Sequence, residues 1–270
     1  MPGSAVPRPI GVGRPMFEPE YAFEYFAEPD VLYLAEDGVV ARCDPRAGRA
    51  RIALRESDGR AGFIGSHVFL SLSLIEMLRR RGRFAIHAAG VALNGRVALL
   101  AGAAGSGKST LALACIRAGF AFLGDDLLFL RPEPRPLLVE AFPDEIDVAD
   151  STLRFFPDLE AIVANAPLPD GWPKRALQLE RYGSVVIEWE AEPAALVFPT
   201  VAERTLLEPL SPDAALLLLV PNVLRTEPAA SQRHLDALAV LARSVPAYRL
   251  DVGDPLAAPA IIRGLLGGGP

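Results

Sequence analysis

Gly102-Ala103-Ala104-Gly105-Ser106-Gly107-Lys108-Ser109-Thr110 meets every position of the pattern G-x-x-x-x-G-K-[ST]. Residues of these types at this spacing hold phosphate. The glycines let the backbone bend until successive amide N–H groups converge on an anion, and the following helix adds the partial positive charge of its N-terminus. Lys108 would reach the β- and γ-phosphates of ATP, and the Ser109 hydroxyl would ligate Mg²⁺. A second set of chemically able residues, Asp125-Asp126, follows soon after. Two carboxylates beside a lysine, a metal ligand and a phosphate chain suit phosphoryl transfer, with one holding the metal and the other accepting a hydroxyl proton. His87 is the third candidate, and its relevance depends on a hairpin.

Such a loop works only where a strand leads in and a helix leads out. Val97 to Ala101 is apolar and short enough for a buried strand. Leu111, Ala114, Cys115 and Ala118 recur at helical spacing along a helix from Ser109 to Ala118, and Gly119 suits the left-handed position at its end. Phe120 to Gly124 then returns as a strand, and a right-handed crossover delivers Asp125-Asp126 to the edge where the loop sits. Upstream, Asn94-Gly95 between Phe84–Leu93 and Arg96–Ala101 signals a two-residue type I′ hairpin turn. That register sets Leu93 against Arg96 and Val91 against Ala98. Continued outward, it brings His87 opposite Gly102, at the mouth of the loop.

His87, the loop, Arg117-Ala118-Gly119 and Asp125-Asp126 stand in the order and spacing of one family. The block resembles the catalytic core of HPr kinase/phosphorylase and its smaller kinase relatives, some of which phosphorylate serine on ribosomally made lasso peptides. The resemblance runs from His87 to Asp126 and is weak elsewhere. It implies an α/β fold: a P-loop kinase domain of HPr kinase type on a mixed sheet, with a small β-rich N-terminal portion. It also implies that Asp125 takes the serine proton, that Asp126 assists through the metal or a hydrogen bond, and that His87 stabilises the transferring group or its base. Two positions depart from the bacterial regulators. Thr110 stands where they commonly carry glutamate, and their later arginine between glycines has only a loose echo at Glu180-Arg181-Tyr182-Gly183. Both departures favour a smaller kinase over a bifunctional phosphorylase.

The remaining chain supplies the frame. Its proline- and glycine-rich start reads as a flexible tail over 1–16, followed by a β-rich portion over 17–66 and a catalytic domain over 67–270. Within 17–66, Val31–Leu34, Gly38–Ala41 and Ala50–Leu54 form an antiparallel meander. His67 to Arg80 reads as an amphipathic helix with Leu70, Leu74 and Met77 inward, and Arg79 to Arg81 complement its dipole. Leu127 to Leu130 is a strand leading to a proline-rich surface loop. Residues 150–175 form a long irregular segment of the kind that serves as a lid or substrate-binding element. Lys174, Arg175 and Arg181 are the candidates for neutralising γ-phosphate charge. Gly183–Trp189 and Ala214–Val220 read as buried strands, Ser231–Arg243 as a helix carrying a structural His234, Pro246–Leu250 as a strand and Pro255–Leu266 as a closing helix.

Composition narrows the partners. A net charge of −6 supplies no basic excess for nucleic acid. No apolar run spans a bilayer and no signal peptide is evident, which points to a cytoplasmic protein without a membrane partner. Cys43 and Cys115 make no disulfide framework. The expected activity is an ATP- and Mg²⁺-dependent kinase acting on a serine hydroxyl of a peptide or protein, foremost a lasso-type precursor. Within that activity an HPr-like carrier protein is the alternative acceptor; a non-catalytic ATP-sensing regulator is the alternative from another class. A carboxykinase ranks last, because only three histidines are present. The sequence leaves a homo-oligomer open.

Overall fold

The computed structural model describes residues 14–15, 24–28, 31–36, 39–54, 69–143, 145–163, 175–183, 185–223 and 228–267. The chain divides into two compact units, Met1–Phe84 with Val223–Leu235, and Ala85–Asn222 with Asp236–Pro270. The first unit includes the helix that follows the meander, which packs on it.

In the first unit, β1 (Arg14–Pro15), β2 (Glu24–Ala27), β3 (Leu32–Glu36), β4 (Val39–Asp44) and β5 (Arg49–Leu54) pair in sequence order, each antiparallel to the next. Pairing of Arg14 with Tyr25 places the end of the expected tail in this sheet; the rest of 1–16 lies outside the described residues. Alternation along β4 turns Val39, Ala41 and Cys43 inward against Phe69 and Leu72 of α1 (Phe69–Arg79). The buried face of α1 is Phe69, Leu72, Ser73, Glu76 and Arg79, while Leu70 is 58% exposed. Apolar residues surround most of this helix, so the pattern did not single out a face. The observed face is the one that buries an ion pair: Arg79 Nη2 lies 2.9 Å from a Glu76 carboxylate oxygen with both side chains fully buried, and Arg80 joins the same carboxylate. Arg79 is thus a core residue and not a solvated complement to the helix dipole.

The second unit is built on a mixed sheet. It begins with β6 (Phe84–Ile86), β7 (Ala88–Leu93) and β8 (Arg96–Ala101), continues through α2 (Lys108–Arg117) to β9 (Ala121–Gly124), and adds the hairpin of β10 (Leu128–Arg131) and β11 (Leu138–Glu140). An outer layer follows, made of β12 (Ile146–Val148), α3 (Asp150–Leu153), α4 (Glu160–Val163), β13 (Arg175–Leu177) and α5 (Leu179–Tyr182). The chain then re-enters the sheet with β14 (Glu190–Val201) and continues through β15 (Leu206–Leu210) and α6 (Pro212–Leu219); of α7 (Pro228–Ser244), the part up to Leu235 belongs to the first unit and the rest to the second, which ends through β16 (Ala247–Val252) and α8 (Ala258–Leu265).

Strand β14 is the axis. It runs parallel to β8 on one side and to β16 on the other, while β7 is antiparallel to both β8 and β9. Strands β8, β9, β14 and β16 therefore all point the same way. Helix α2 lies in the core: Leu111, Ala112 and Cys115 join β8, β14 and α8 in one cluster, while Leu113 and Ile116 join Phe122, Phe156, Leu159 and Leu177 in another. Burial pushes the Cys115 thiol up to about 12. Arg117 closes the helix: its guanidinium lies 4.6 Å from the Phe156 ring centroid, its Nε donates to Tyr182 Oη at 2.8 Å, and it pairs with Asp158.

Two expected strands are not strands. Ala214–Val220 falls in α6 and the short 3₁₀ turn after it; Ser211 caps α6 by accepting from the Ala214 N–H at 3.2 Å, with Pro212 in the first turn. Of the expected strand at 183–189, residues 185–189 run irregularly beside β9, touching it through the bridge of Ile187 to Phe122, and Val186 and Trp189 are mostly exposed. The helices at 231–243 and 255–266, the strand at 246–250 and the buried His234 match expectation. Among the described residues no helix is long and apolar enough to cross a membrane.

Candidate functional site

Open α/β sheets bind ligands outside the carboxyl ends of their parallel strands. Here that edge carries the residues with chemical potential. Strand β8 ends at Ala101 and feeds residues 102–107, where Gly102, Gly105 and Gly107 have φ of 150°, 78° and 96°. Side chains avoid these conformations, so the loop needs glycine. Gly107 occupies the N-cap of α2 and no side chain caps it. The N-terminus of the helix, with its partial positive charge, opens onto the loop. Lys108 is 5% exposed, and its Nζ donates to the carbonyls of Gly102 at 2.9 Å and Ala103 at 3.1 Å. Ser109 and Thr110 are half-buried in the first turn, and the Thr110 hydroxyl meets the Thr152 hydroxyl at 2.8 Å.

Strand β9 ends at Gly124 on the same edge. It lies two strand spacings from β8, about 10 Å. Asp125 is 4% exposed. Asp126 has φ 67°, and the Leu127 N–H donates across it to the Asp125 carbonyl at 2.9 Å. A non-glycine residue held in the left-handed region costs free energy and marks a place where structure over-determines the backbone. The consequence is visible in His87. The expected continuous strand Phe84–Leu93 breaks at this residue, with β6 pairing to β10 and β7 to β8. The break frees the imidazole, whose Nδ1–H donates to the Asp126 carbonyl oxygen at 2.9 Å while Nε2 stands 3.7 Å from Asp126 Oδ1. The hairpin register agrees with expectation down to Ala88 against Ala101, and Asn94 and Gly95 both have positive φ, as a type I′ turn requires.

The chain is similar to a solved kinase/phosphatase. That structure is described as the Hpr(Ser) kinase/phosphatase from Coxiella burnetii; the match has 13% sequence identity and a TM-score of 0.36, and covers 68% of this chain and 88% of that one. No family model and no curated protein matches the chain. A likeness this distant leaves the site to be argued from its own geometry.

Ser109 and the two aspartates are hard oxygen donors of the kind Mg²⁺ takes, and a site completed by phosphate oxygens and water needs few of them. Among the described residues no group of three or more His, Cys, Asp or Glu forms a metal cage by itself. The three candidate cations fare differently. Arg175 opens β13 opposite Val148 and pairs with Asp150 at 3.3 Å. Arg181 is exposed on α5, and Lys174 lies outside the described residues.

Beside the loop is a cavity of about 230 Å³, bounded by Gly105 to Thr110 and by Asp147, Thr152, Phe155, Val201, Val252 and Pro255 among others. Arg175 and Arg181 are not in its wall. The segment 150–175, expected as a lid or substrate-binding element, includes Thr152 and Phe155. The sequence holds no signal for Val201 or Val252, which reach the site only because β14 and β16 end beside β8.

Proposed function

We propose that this chain is a Mg²⁺- and ATP-dependent kinase that transfers the γ-phosphoryl group to a serine hydroxyl of a peptide or protein, most simply a ribosomally made lasso-type precursor. The observation that carries the reading is the pairing of a glycine-rich loop with two aspartates across one sheet edge, with His87 tied to the second aspartate at 2.9 Å. The family resemblance of this block, noted from the sequence, points the same way.

Each residue then has a role. Lys108 is held by two neutral carbonyls, and a phosphate oxygen offers it a charged acceptor that makes a stronger hydrogen bond. The uncapped amides of α2 and the loop hold the β-phosphate. Ser109 and Asp126 would hold Mg²⁺, which when bound would supply charge neutralisation to the phosphate chain. Asp125 accepts the proton as the serine oxygen forms its bond to the γ-phosphorus and the bond from phosphorus to the β,γ-bridging oxygen breaks. A carbonyl only accepts, so His87 carries a proton on Nδ1; a second proton on Nε2 would make it a cation facing the Asp126 carboxylate and the developing charge. Of the two described candidates, Arg175 is the better placed, being ion-paired to Asp150 between cavity-wall residues Ala149 and Ser151.

The test is intact-mass analysis of serine-ending precursor peptides and of an HPr-like protein after incubation with this chain, ATP and Mg²⁺. One added phosphoryl group on one acceptor class is expected, lost by orders of magnitude in Lys108→Ala and lost with ATP affinity retained in Asp125→Asn. Tight ATP binding that survives Asp125→Asn, with no acceptor modified by the wild type, would favour a nucleotide-sensing regulator instead.

A further inference from the structure

Phosphoryl transfer uses residues of the second unit and leaves a dense group of positive charge in the first without a role. Residues 39–54 and 79–83 carry eight arginines against one acidic residue, Asp44, although the whole chain has a net charge of −6. Arg79 and Arg80 are taken up by the buried Glu76 carboxylate. Arg42, Arg46, Arg49, Arg51 and Arg81 gather at one edge of the sheet. Arg42 and Arg51 stand directly opposite each other on β4 and β5, and Arg49 stands opposite Asp44. By alternation all four lie on the face turned away from Val39, Ala41 and Cys43, which pack on α1. The chain leaving α1 reaches over the turn between these strands, where Arg81 Nη2 donates to the Pro45 carbonyl oxygen at 3.2 Å. Arg46, Arg49, Arg51 and Arg81 are all exposed.

Two features of this edge point to a partner. Like charges directly opposite on a ladder destabilise it, and Asp44, 3.9 Å from Arg42, offers a long contact to one member of the Arg42–Arg51 pair. The second feature is the backbone. Among the described residues β5 is the last strand of its sheet. It pairs with β4 over six consecutive residues without a register shift, contains no proline, and has Ala50 and Ile52 at inward positions. The devices that blunt a strand edge are a bulge, a proline or an inward charge, and β5 has none of them. Alternate residues therefore turn N–H and C=O groups outward. A nucleic acid or an anionic membrane would meet the guanidinium groups and make no use of that backbone. An extended peptide uses both, because its alternate side chains recur about every 6.8 Å, the spacing of Arg49 and Arg51. We infer that the first unit docks an extended peptide segment with acidic residues at alternate positions, which pairs with the outer edge of β5 as a sixth strand and sets its carboxylates against Arg49 and Arg51. None of these residues belongs to the second unit, so the docking edge stands or falls independently of the phosphate loop.

The experiment measures fluorescence anisotropy of a labelled peptide of about ten residues, alternating glutamate with valine and threonine at the strand spacing, titrated with the full chain. Its companions are the same peptide with glutamine for glutamate, one with proline at alternate positions, and a single-stranded oligonucleotide. The glutamate peptide should bind at least tenfold more tightly than the glutamine one and lose that margin in high salt. The double variant Arg49→Gln/Arg51→Gln should weaken it by about tenfold, the loss of two exposed ion pairs, and proline should weaken it because a ladder donor is gone. Lys108→Ala should leave it unchanged. Arg51→Gln alone should keep or raise Tm, since it relieves the repulsion from Arg42; a lower Tm with unchanged peptide affinity would assign these arginines to the fold and overturn the docking edge. Equal affinity for the glutamate and glutamine peptides, or indifference to the double variant, overturns it as well. So does an oligonucleotide that binds more tightly than the peptide and weakens in the same variant, which would make the edge a nucleic-acid surface.

Discussion

Gly124 ends β9 immediately before the two aspartates. A methyl group added there would stand 2.7 Å from the Phe142 carbonyl oxygen, 3.0 Å from the Leu127 carbonyl oxygen and 3.0 Å from Leu128 Cδ2. Two of these atoms are backbone and cannot swing aside. Ordinary contact begins near 3.4 Å, so Gly124→Ala demands about 0.7 Å of movement at Phe142 and about 0.4 Å at Leu127. Leu127 closes the turn over Asp126, and the Asp126 carbonyl receives the His87 proton. The strain therefore passes into Asp126 and His87. Overpacking of this kind costs about 1–3 kcal/mol, and in a chain of this size each kcal/mol lowers Tm by about 2–4 °C. A fall of roughly 2–12 °C follows from those ranges. Displacement of the aspartates by most of an ångström should slow transfer by about 100-fold. ATP affinity should change little, because the phosphate loop leaves β8 and not β9. Circular dichroism melting, turnover and ATP titration read the three effects separately. A Gly124→Ala protein with wild-type Tm and wild-type turnover would refute the account of how the aspartates are held.

Three further outcomes are expected. At Asp126, whose φ is 67°, glycine should be tolerated better than alanine by about 1–2 kcal/mol, with both variants losing transfer; equal stability in urea unfolding would mean that the turn does not hold that conformation. Arg79→Ala should destabilise, by less than the ~3–5 kcal/mol of a fully unpaired buried charge, because it removes one guanidinium partner of the buried Glu76 carboxylate and leaves Arg80, whereas an apolar pair at positions 76 and 79 should recover most of the loss, both read from denaturant midpoints. The Cys115 thiol is pushed from 9.0 up to about 12 by burial, so between those values the unfolded chain releases a proton that the native chain keeps. Its contribution is complete below pH 9 and disappears as pH rises towards 12; Cys115→Ala should flatten this alkaline decline in unfolding free energy, and an unchanged slope would count against it.

The glycine-rich loop and its flanking elements were legible because their determinants are local. The loop carries its own glycines, the strand before it and the helix after it are continuous in sequence, and one Asn-Gly turn sets the register that brings His87 to the same edge. Strand β14 was not legible, although it is the axis of the sheet, because Pro193 and Pro199 argue against a central strand. Both are accommodated where pairing lapses. Pro193 lies at the register shift against β8. The N–H groups of Leu196 and Ala202 point to β16, so Pro199 points to the β8 side, where pairing has already ended at Val197 and Leu100. A proline costs a ladder bond only where a partner carbonyl is waiting.

The same non-locality hides the rest of the cavity. Val201 and Val252 are ordinary strand residues in sequence, and their exposure to the loop comes from a strand order in which β14 stands between β8 and β16 with all three parallel. Once that order is known their position follows, since parallel neighbours in register must end together and the loop after one becomes the neighbour of the residues ending the others. Gly107 shows the contact directly: a methyl group there would lie 3.6 Å from Val201 Cγ2. The glycine-rich turn and the apolar rim are therefore two consequences of one sheet edge. A substitution that shifts the end of β14, such as Pro199→Gly, should loosen the rim while leaving the phosphate loop intact, weakening ATP more than tripolyphosphate.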